Sequence, residues 1–106
     1  MLVRGAKSSM SVKIEDVYRQ IKEIAKQNQV EKILLFGSRA RGDNTEKSDI
    51  DLAVYGCNDF ARLSDQLNEE LWSLLELDII DMDSDYLSQD LIDQINRDGV
   101  VIYEKV

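Results

Sequence analysis

The sequence contains no histidine and only one cysteine among its 106 residues. Without histidine, the chain lacks the commonest general base, the usual nitrogen ligand of zinc and the central member of a Ser-His-Asp triad. Hydrolase mechanisms that depend on histidine are therefore disfavoured. The single Cys57 cannot form a disulfide within the chain, and its position after an apolar segment indicates a small, partly buried side chain.

Long apolar runs and an excess of positive charge are also missing. No segment approaches the roughly 18 apolar residues that a membrane-spanning helix needs, and the N-terminal MLVRGAKSSM lacks the apolar core of a signal peptide. The formal net charge is -8, from 21 acidic and 13 basic side chains, so the chain repels a polyphosphate backbone. These features predict a cytoplasmic protein that binds neither membranes nor nucleic acid directly.

The first half of the chain is predicted to hold one helix and two strands. Residues 1–10 show no hydrophobic period and are predicted to be a flexible lead-in, which leaves residues 11–106 as a single domain. A first helix is predicted over residues 11–28 because its apolar residues recur at helical spacing; they are Ile14, Val17, Tyr18, Ile21, Ile24 and Ala25. Short apolar runs predict strands at Lys32–Phe36 and Ile50–Tyr55, with a polar loop between them that opens with a helical turn.

The second half continues the alternation. In chain order, the pattern predicts a helix capped by Asn58 and running to Leu75, a strand at Leu77–Met82, a helix between an N-cap at Ser88 and a stop at Gly99, and a short strand at Val100–Tyr103. This order of elements predicts an α/β (α+β) fold in which helices flank a small sheet.

The strongest chemical signal lies between the first two predicted strands. Gly37 and Ser38 close the first strand, ten residues follow, and Asp49 and Asp51 stand at the start of the second strand. Residues two apart on a strand point to the same face with Cα atoms roughly 6.5 Å apart, so both carboxylates can reach one pair of hard cations, Mg²⁺ or Mn²⁺. Two such ions would clamp a triphosphate and activate an acceptor oxygen for in-line attack.

An Asp-x-Asp pair alone is weak evidence, because alternating polar residues are ordinary in a strand with one solvated face. The preceding Gly-Ser pair makes the combination specific: glycine lets backbone N–H groups approach a phosphate, and serine adds a hydroxyl donor. Other uses of the segment fit poorly. Ser38 has no histidine to activate it and no nucleophile elbow around it, and the segment lacks the Gly-Lys-Ser/Thr ending of a P-loop.

Three basic residues, Arg39, Arg41 and Lys47, lie in the loop that follows the Gly-Ser pair. Their charge could neutralise a triphosphate, although exposed basic residues are also common on loops without a function. Arg39 is the preferred nucleotide-binding candidate because it is adjacent to the Gly-Ser turn. For Arg41 and Lys47 both interpretations stay open.

A two-metal site usually needs a third carboxylate, and the third predicted strand offers Asp78, Asp81 and Asp83. Asp78 interrupts an apolar run, and a charge among buried neighbours is costly unless it is paired or bound to metal. Asp81 and Asp83 lie nearer the end of the strand, where water can solvate them. Asp78 is therefore the predicted third ligand, with Asp81 as the alternative.

These motifs resemble the nucleotidyltransferase superfamily of DNA polymerase beta, and most closely its shortest members, the MNT-type proteins. The resemblance covers nearly the whole chain after residue 11 and is carried by the segments LLFGSRARG, SDIDLAV, LDIIDMD and DGVVIYE. It implies a palm fold with a mixed sheet flanked by helices. It also implies that Gly37 and Ser38 contact phosphate, that Asp49 and Asp51 are paired metal ligands and that Asp78 is the third carboxylate.

The resemblance further implies a partner. MNT-type proteins of this size resemble the antitoxins of two-component systems whose other half is a helical HEPN protein with ribonuclease activity. The expected reaction transfers AMP from Mg-ATP to a hydroxyl of that toxin within a hetero-oligomer. Larger family members hold acceptors with a C-terminal helical domain that this sequence lacks, so we expect the acceptor on another molecule. Trp72 and Tyr86 are candidate apolar anchors for it.

A function from a different class is also consistent with this sequence. The chain could be a non-catalytic binding module that neutralises its partner by contact and retains the palm as a scaffold. The complete set of three carboxylates favours the enzyme, because clustered acids without a cation repel each other and destabilise the fold.

Overall fold

The computed structural model describes residues 13–71 and 73–105. The elements, in chain order, are α1 (Ile14–Gln27), β1 (Lys32–Phe36), α2 (Ser38–Arg41), β2 (Ile50–Tyr55), α3 (Phe60–Glu70), β3 (Leu77–Asp81), α4 (Gln89–Asp98) and β4 (Val100–Glu104). Within this part of the chain, no helix has the length and apolar character needed to cross a membrane. The predicted lead-in at residues 1–10 and the candidate anchor Trp72 lie outside the described residues.

The four strands form one mixed sheet in the order β3-β2-β1-β4. Strand β1 is antiparallel to both β2 and β4, whereas β2 is parallel to β3. Because a parallel pair needs a crossover connection, α3 lies in the chain between β2 and β3. The predicted α/β (α+β) fold, with helices flanking a small mixed sheet, is confirmed.

Both faces of the sheet carry a hydrophobic cluster, but the two clusters differ in size. The larger consists of residues from α1, α3, β1, β2 and the connections that follow α1 and α3: Val17, Ile21, Ile24, Ala25, Val30, Ile33, Leu35, Ile50, Leu52, Val54, Leu63, Leu67 and Leu71. The smaller contains Leu34, Phe36 and Ala53 of the sheet and Ile95 of α4. Alternate residues of a strand point to opposite faces, so β1 is apolar along its whole inner length.

Helix α1 follows the predicted apolar spacing. Its buried residues Val17, Ile21, Ile24 and Ala25 are at most 3% exposed. They form the stripe that packs on the sheet, and α1 ends at Gln27 with Asn28 as its C-cap. The predicted helical turn at the start of the polar loop is also present, as α2.

The prediction for α3 was wrong at both ends of the helix. The N-cap is Asp59, not Asn58, and its side chain accepts a hydrogen bond of 3.1 Å from the Arg62 N–H. The helix ends at Glu70, because Leu71 adopts extended dihedral angles (φ -64°, ψ 138°). Leu74, which continues the helical spacing in the sequence, lies outside the helix and is 94% exposed. The apolar residues of the loop after α3 continue the helical spacing in the sequence, although the loop is not helical.

The last helix and strand are confirmed, although Gly99 acts differently from the expected left-handed stop. The Ser88 hydroxyl caps α4 by accepting from the Leu91 N–H at 3.2 Å. Gly99 has φ -63° and ψ 138°, which any residue can adopt. A Cβ there would lie 2.6 Å from the Ile95 carbonyl oxygen and 2.9 Å from Leu34 Cδ1. Glycine is therefore needed for the close approach of the helix end to β1.

Candidate active site

The turn after β1 and the starts of β2 and β3 lie together at one end of the sheet. In the antiparallel pair, Phe36 is opposite Asp51, which brings Gly37 beside the start of β2. In the parallel pair, Asp51 is opposite Asp78. Neighbouring strands are about 4.8 Å apart and residues in register share a face, so the two registers bring Gly37, Asp51 and Asp78 together. Asp51 and Asp78 lie on the face of the sheet that carries Phe36 and α4, and Gly37 directly follows Phe36.

Gly37 is required by the conformation of the turn and by its contact with β2. Its dihedral angles are φ 76° and ψ -157°, in a region that is essentially restricted to glycine. A Cβ at this position would collide with Oδ2 of Asp51. The absent side chain thus allows the Asp51 carboxylate to lie against the backbone of the Gly-Ser turn.

Asp51 is the central carboxylate of the predicted trio. It is half-buried, whereas Asp49 and Asp78 are exposed on either side of it. Burial raises the pKa of the Asp51 carboxyl above its ordinary value, the negative charges of Asp78 and Asp49 raise it further, and the Arg41 guanidinium opposes them. The pKa of Asp51 is thus raised although Arg41 opposes the rise, because the Arg41 charge does not offset burial and the two neighbouring carboxylates.

Asp78 was predicted to be the third ligand because its apolar neighbours suggested that it is buried. That burial is not observed, although the sheet register supports the same residue. Asp78 is exposed, so its charge is solvated by water and carries no desolvation penalty. The alternative, Asp81, is opposite Val54, three residues further along β2. Its Oδ1 accepts from the Asp83 N–H at 3.0 Å. Asp81 thus lies roughly 10 Å from Asp78 along the strand and belongs to the turn at the other end.

The Gly-Ser turn continues directly into α2. The Gly37 carbonyl accepts from the N–H groups of Ala40 and Arg41, both at 3.1 Å, and the Ser38 carbonyl accepts from the Gly42 N–H at 2.9 Å. A first helical turn leaves its leading N–H groups without an acceptor in the helix. The N–H groups of Ser38 and Arg39 therefore have no acceptor within α2. They follow Gly37, which lies against the Asp51 carboxylate.

The side chain of Arg39 turns towards the loop that precedes β2. Its Nε donates to the Ser48 carbonyl at 3.0 Å, and one terminal nitrogen, Nη2, donates to the carbonyls of Thr45 and Glu46 at 3.4 and 3.2 Å. The predicted nucleotide contact would have to compete with these bonds.

For Arg41, the sequence left open whether it neutralises a triphosphate or is an ordinary exposed residue of the loop. Its guanidinium is close enough to Asp51 to oppose the rise in the pKa of that carboxyl. It is held from two sides, by Asp43 Oδ2 at 3.2 Å from Nε and by Asp98 Oδ2 at 3.6 Å from Nη1. The charge of Arg41 therefore acts on the Asp51 carboxyl, while Lys47 is exposed on the loop.

The sequence matches the family described as "Polymerase beta, Nucleotidyltransferase" over residues 19–106. This segment includes every candidate site residue and all four strands. The chain belongs to the polymerase beta nucleotidyltransferase family.

Relatives of this nucleotidyltransferase domain carry consistent names. A Methanocaldococcus jannaschii protein named "Putative protein adenylyltransferase MJ0128" is 40% identical over 70 residues, which are 60% of this chain and 71% of that protein. The matched segments span between 31% and 71% of the lengths of three such relatives from this organism.

Two solved structures share the fold of the domain. One, a toxin-antitoxin with AMP-PNP, superposes with a TM-score of 0.66 at 26% identity, over 83% of this chain and 73% of that chain. The other, described as a "putative minimal nucleotidyltransferase", has a TM-score of 0.63 at 25% identity, over 82% of this chain and 90% of that chain. The resemblance to minimal nucleotidyltransferases is confirmed.

The side chains at the site suit the divalent metal that nucleotidyltransferases generally use. Asp49, Asp51 and Asp78 offer only hard oxygen donors, and the negative charges of Asp49 and Asp78 act on Asp51. Among residues 13–71 and 73–105, no three acidic or cysteine side chains are arranged to enclose an ion by themselves. This is compatible with Mg²⁺, which is commonly held by one or two carboxylates together with substrate phosphates and water.

Three residues with roles at the site were missed in the sequence. Asp98 at the end of α4 holds Arg41, Asp43 holds it from the loop, and Tyr18 of α1 lies beside Arg39. Burial raises the pKa of the Tyr18 phenol, and Arg39 opposes this shift. Asp43 could have been suspected because it is two residues from Arg41. Tyr18 and Asp98 lie too far along the chain for any local pattern to indicate them.

Proposed function

We propose that this nucleotidyltransferase domain transfers AMP from ATP to a hydroxyl group of a protein partner in a Mg²⁺-dependent reaction. The observation that carries the proposal is the convergence of Asp49, Asp51 and Asp78 with the Gly37-Ser38 turn at one end of the sheet. In this proposal, that one surface would hold both the metal and the phosphates.

In this proposal the protein mainly positions and neutralises the reacting groups. When bound, Mg²⁺ would supply positive charge that neutralises the triphosphate. Asp49, Asp51 and Asp78 would hold the metal together with substrate phosphates and water. The leading N–H groups of the Gly-Ser turn would hold phosphate oxygens. The acceptor oxygen forms a bond to the α-phosphorus as the bond to pyrophosphate breaks, in line on the opposite side. The hydroxyl proton passes to one of the two exposed carboxylates, Asp49 or Asp78.

The proposed acceptor is a HEPN-type ribonuclease toxin that forms a complex with the protein. Its support is the similarity to a toxin-antitoxin structure with AMP-PNP, a non-hydrolysable relative of ATP, and to proteins named as adenylyltransferases. The net charge of -8 favours association with a basic, RNA-binding protein by electrostatic complementarity. Tyr86, at 94% exposure, is available as an apolar contact.

Transfer to a partner can be tested by co-expression with a neighbouring HEPN gene and intact-mass measurement of the partner. We expect the partner to gain one or more AMP units with the wild-type protein and none with Asp49→Asn or Asp51→Asn. Inhibition of the partner by a stable complex, with no mass gain under any condition, would refute the transferase proposal. That result would favour a binding module that acts by contact.

A further inference from the structure

Arg39 connects the Gly-Ser turn to the loop that leads into the paired aspartates. It is half-buried at the start of α2, and its guanidinium reaches across to residues 45–48. We propose that Arg39 is a positioning residue, which holds the backbone before Asp49 so that this carboxylate faces the site, and that it is not a ligand of the nucleotide phosphates. This inference rests on the proposed function.

The loop held by Arg39 is a closed turn. The Thr45 N–H donates to the Ser48 hydroxyl at 2.9 Å, and the Ser48 N–H donates back to the Thr45 carbonyl at 3.2 Å. The Lys47 N–H donates to the Thr45 hydroxyl at 3.2 Å. Arg39 donates to three carbonyls of this turn, and three charge-assisted bonds from one planar group define an orientation as well as a distance.

Asp49 lies between two anchored positions. On one side, the Ser48 carbonyl accepts from Arg39 Nε at 3.0 Å. On the other, the Ile50 N–H donates to the Glu76 carbonyl at 2.9 Å, which ties the start of β2 to the chain leading into β3. The exposed Asp49 side chain itself needs no packing, so these two backbone anchors determine where its carboxylate is presented.

The surroundings of Arg39 also favour a structural role. The Tyr18 phenol of α1 lies beside the guanidinium, so the arginine is enclosed between a helix and a loop. To reach a phosphate at the Gly-Ser turn, it would have to give up its bonds to the carbonyls of Thr45, Glu46 and Ser48. The exposed Arg41, whose charge lowers the pKa of Asp51 and whose ion-pair partners are the side chains of Asp43 and Asp98, is the alternative basic residue for a phosphate.

The proposal is tested with the full chain carrying Arg39→Ala or Arg39→Lys. In the ligand-free protein, we expect amide exchange at residues 45, 47 and 48 to accelerate by about tenfold or more in Arg39→Ala. Binding of Mn²⁺ in the presence of ATP should weaken by about 10- to 100-fold, the usual effect of removing a group that orients a metal ligand. ATP binding in EDTA should be unchanged, and transfer should lose kcat with little change in KM for ATP. Arg39→Lys should be intermediate, since one ammonium cannot reach all three carbonyls.

The control is Arg19→Ala, which removes an exposed arginine that forms an ion pair with Asp16 on α1. It should change none of these quantities. Unchanged loop exchange together with a loss of ATP affinity in EDTA would show that Arg39 is a phosphate ligand and would overturn the proposal. If the wild type binds neither metal nor nucleotide, the proposed function fails, while loop exchange in the ligand-free variants still decides whether Arg39 holds the loop. Should Arg39→Ala fail to fold, Arg39→Lys provides the same comparison.

Discussion

Oδ2 of Asp51 lies against the Cα of Gly37, in the space where the side chain of any other residue at position 37 would begin. A central carboxylate and the backbone of the Gly-Ser turn are thereby in direct contact. The contact explains why the glycine and the second aspartate of the motif depend on each other, although they are fourteen positions apart.

Replacing Gly37 by alanine should damage both stability and ligand binding. The backbone strain alone costs on the order of 1–3 kcal/mol, and the added Cβ displaces Asp51. Urea unfolding and calorimetry with Mg-ATP measure the two effects. Gly42→Ala is the matched control, because Gly42 has φ 89° but, apart from its chain neighbours, none of the described residues comes within 4 Å of the added Cβ. It should lose stability through strain while retaining Mg-ATP binding; equal binding by both variants would contradict the role assigned to Gly37.

The stability of the metal-free protein should depend on the charge of Asp51. Because folding raises the pKa of Asp51, the folded state binds more protons than the unfolded state in the pH range between about 3.9, the ordinary value for this group, and the raised folded pKa. The contribution of Asp51 to stability is therefore fully present below that pH and declines as the pH rises through the folded pKa. Asp51→Asn should unfold at a higher urea concentration than the wild type at pH 7, with the difference vanishing in acid. A difference independent of pH would exclude this explanation.

Metal and nucleotide should stabilise the protein together more than either does alone, since they share one site. At a ligand concentration of a hundred times Kd, binding adds about 2.7 kcal/mol to the free energy of unfolding. Thermal shift with Mg²⁺, ATP and both ligands measures this. The absence of any metal-dependent nucleotide effect would remove the basis of the proposed active site.

The two candidates for the third carboxylate should behave differently when replaced. Asp78→Asn should reduce transfer by two or three orders of magnitude, because a metal contributes several kcal/mol to the transition state. Asp81→Asn should retain activity, since its carboxylate binds the Asp83 N–H at the other end of β3. Steady-state rates on the same partner make the comparison. The reverse result would assign the third ligand to Asp81.

Removing the cap of α4 should cost stability without affecting chemistry. The Ser88 hydroxyl accepts from the Leu91 N–H, and loss of such a cap typically costs about 1 kcal/mol. Ser88→Ala should therefore shift the urea midpoint downward while the rate of transfer by the folded protein stays the same. An unchanged midpoint would show that the exposed cap contributes little.

Local interactions made part of this protein predictable from its sequence. The strands, the apolar stripe of α1 and the Ser88 cap involve residues a few positions apart, and the order of these elements was sufficient for the fold class. The motif from Gly37 to Asp51 could also be recognised in the sequence, because its residues are close together along the chain.

Contacts between distant positions decided the rest. The register between β2 and β3 places Asp78 opposite Asp51, a better reason for choosing it than the burial that its neighbours suggested. The Arg39 side chain binds loop carbonyls, although its place in the sequence favoured phosphate. Asp98 reaches Arg41 only because α4 packs over β1. Strand register and side-chain direction depend on which surfaces meet when the chain is packed, and that information is not contained in the spacing of residues along a single segment.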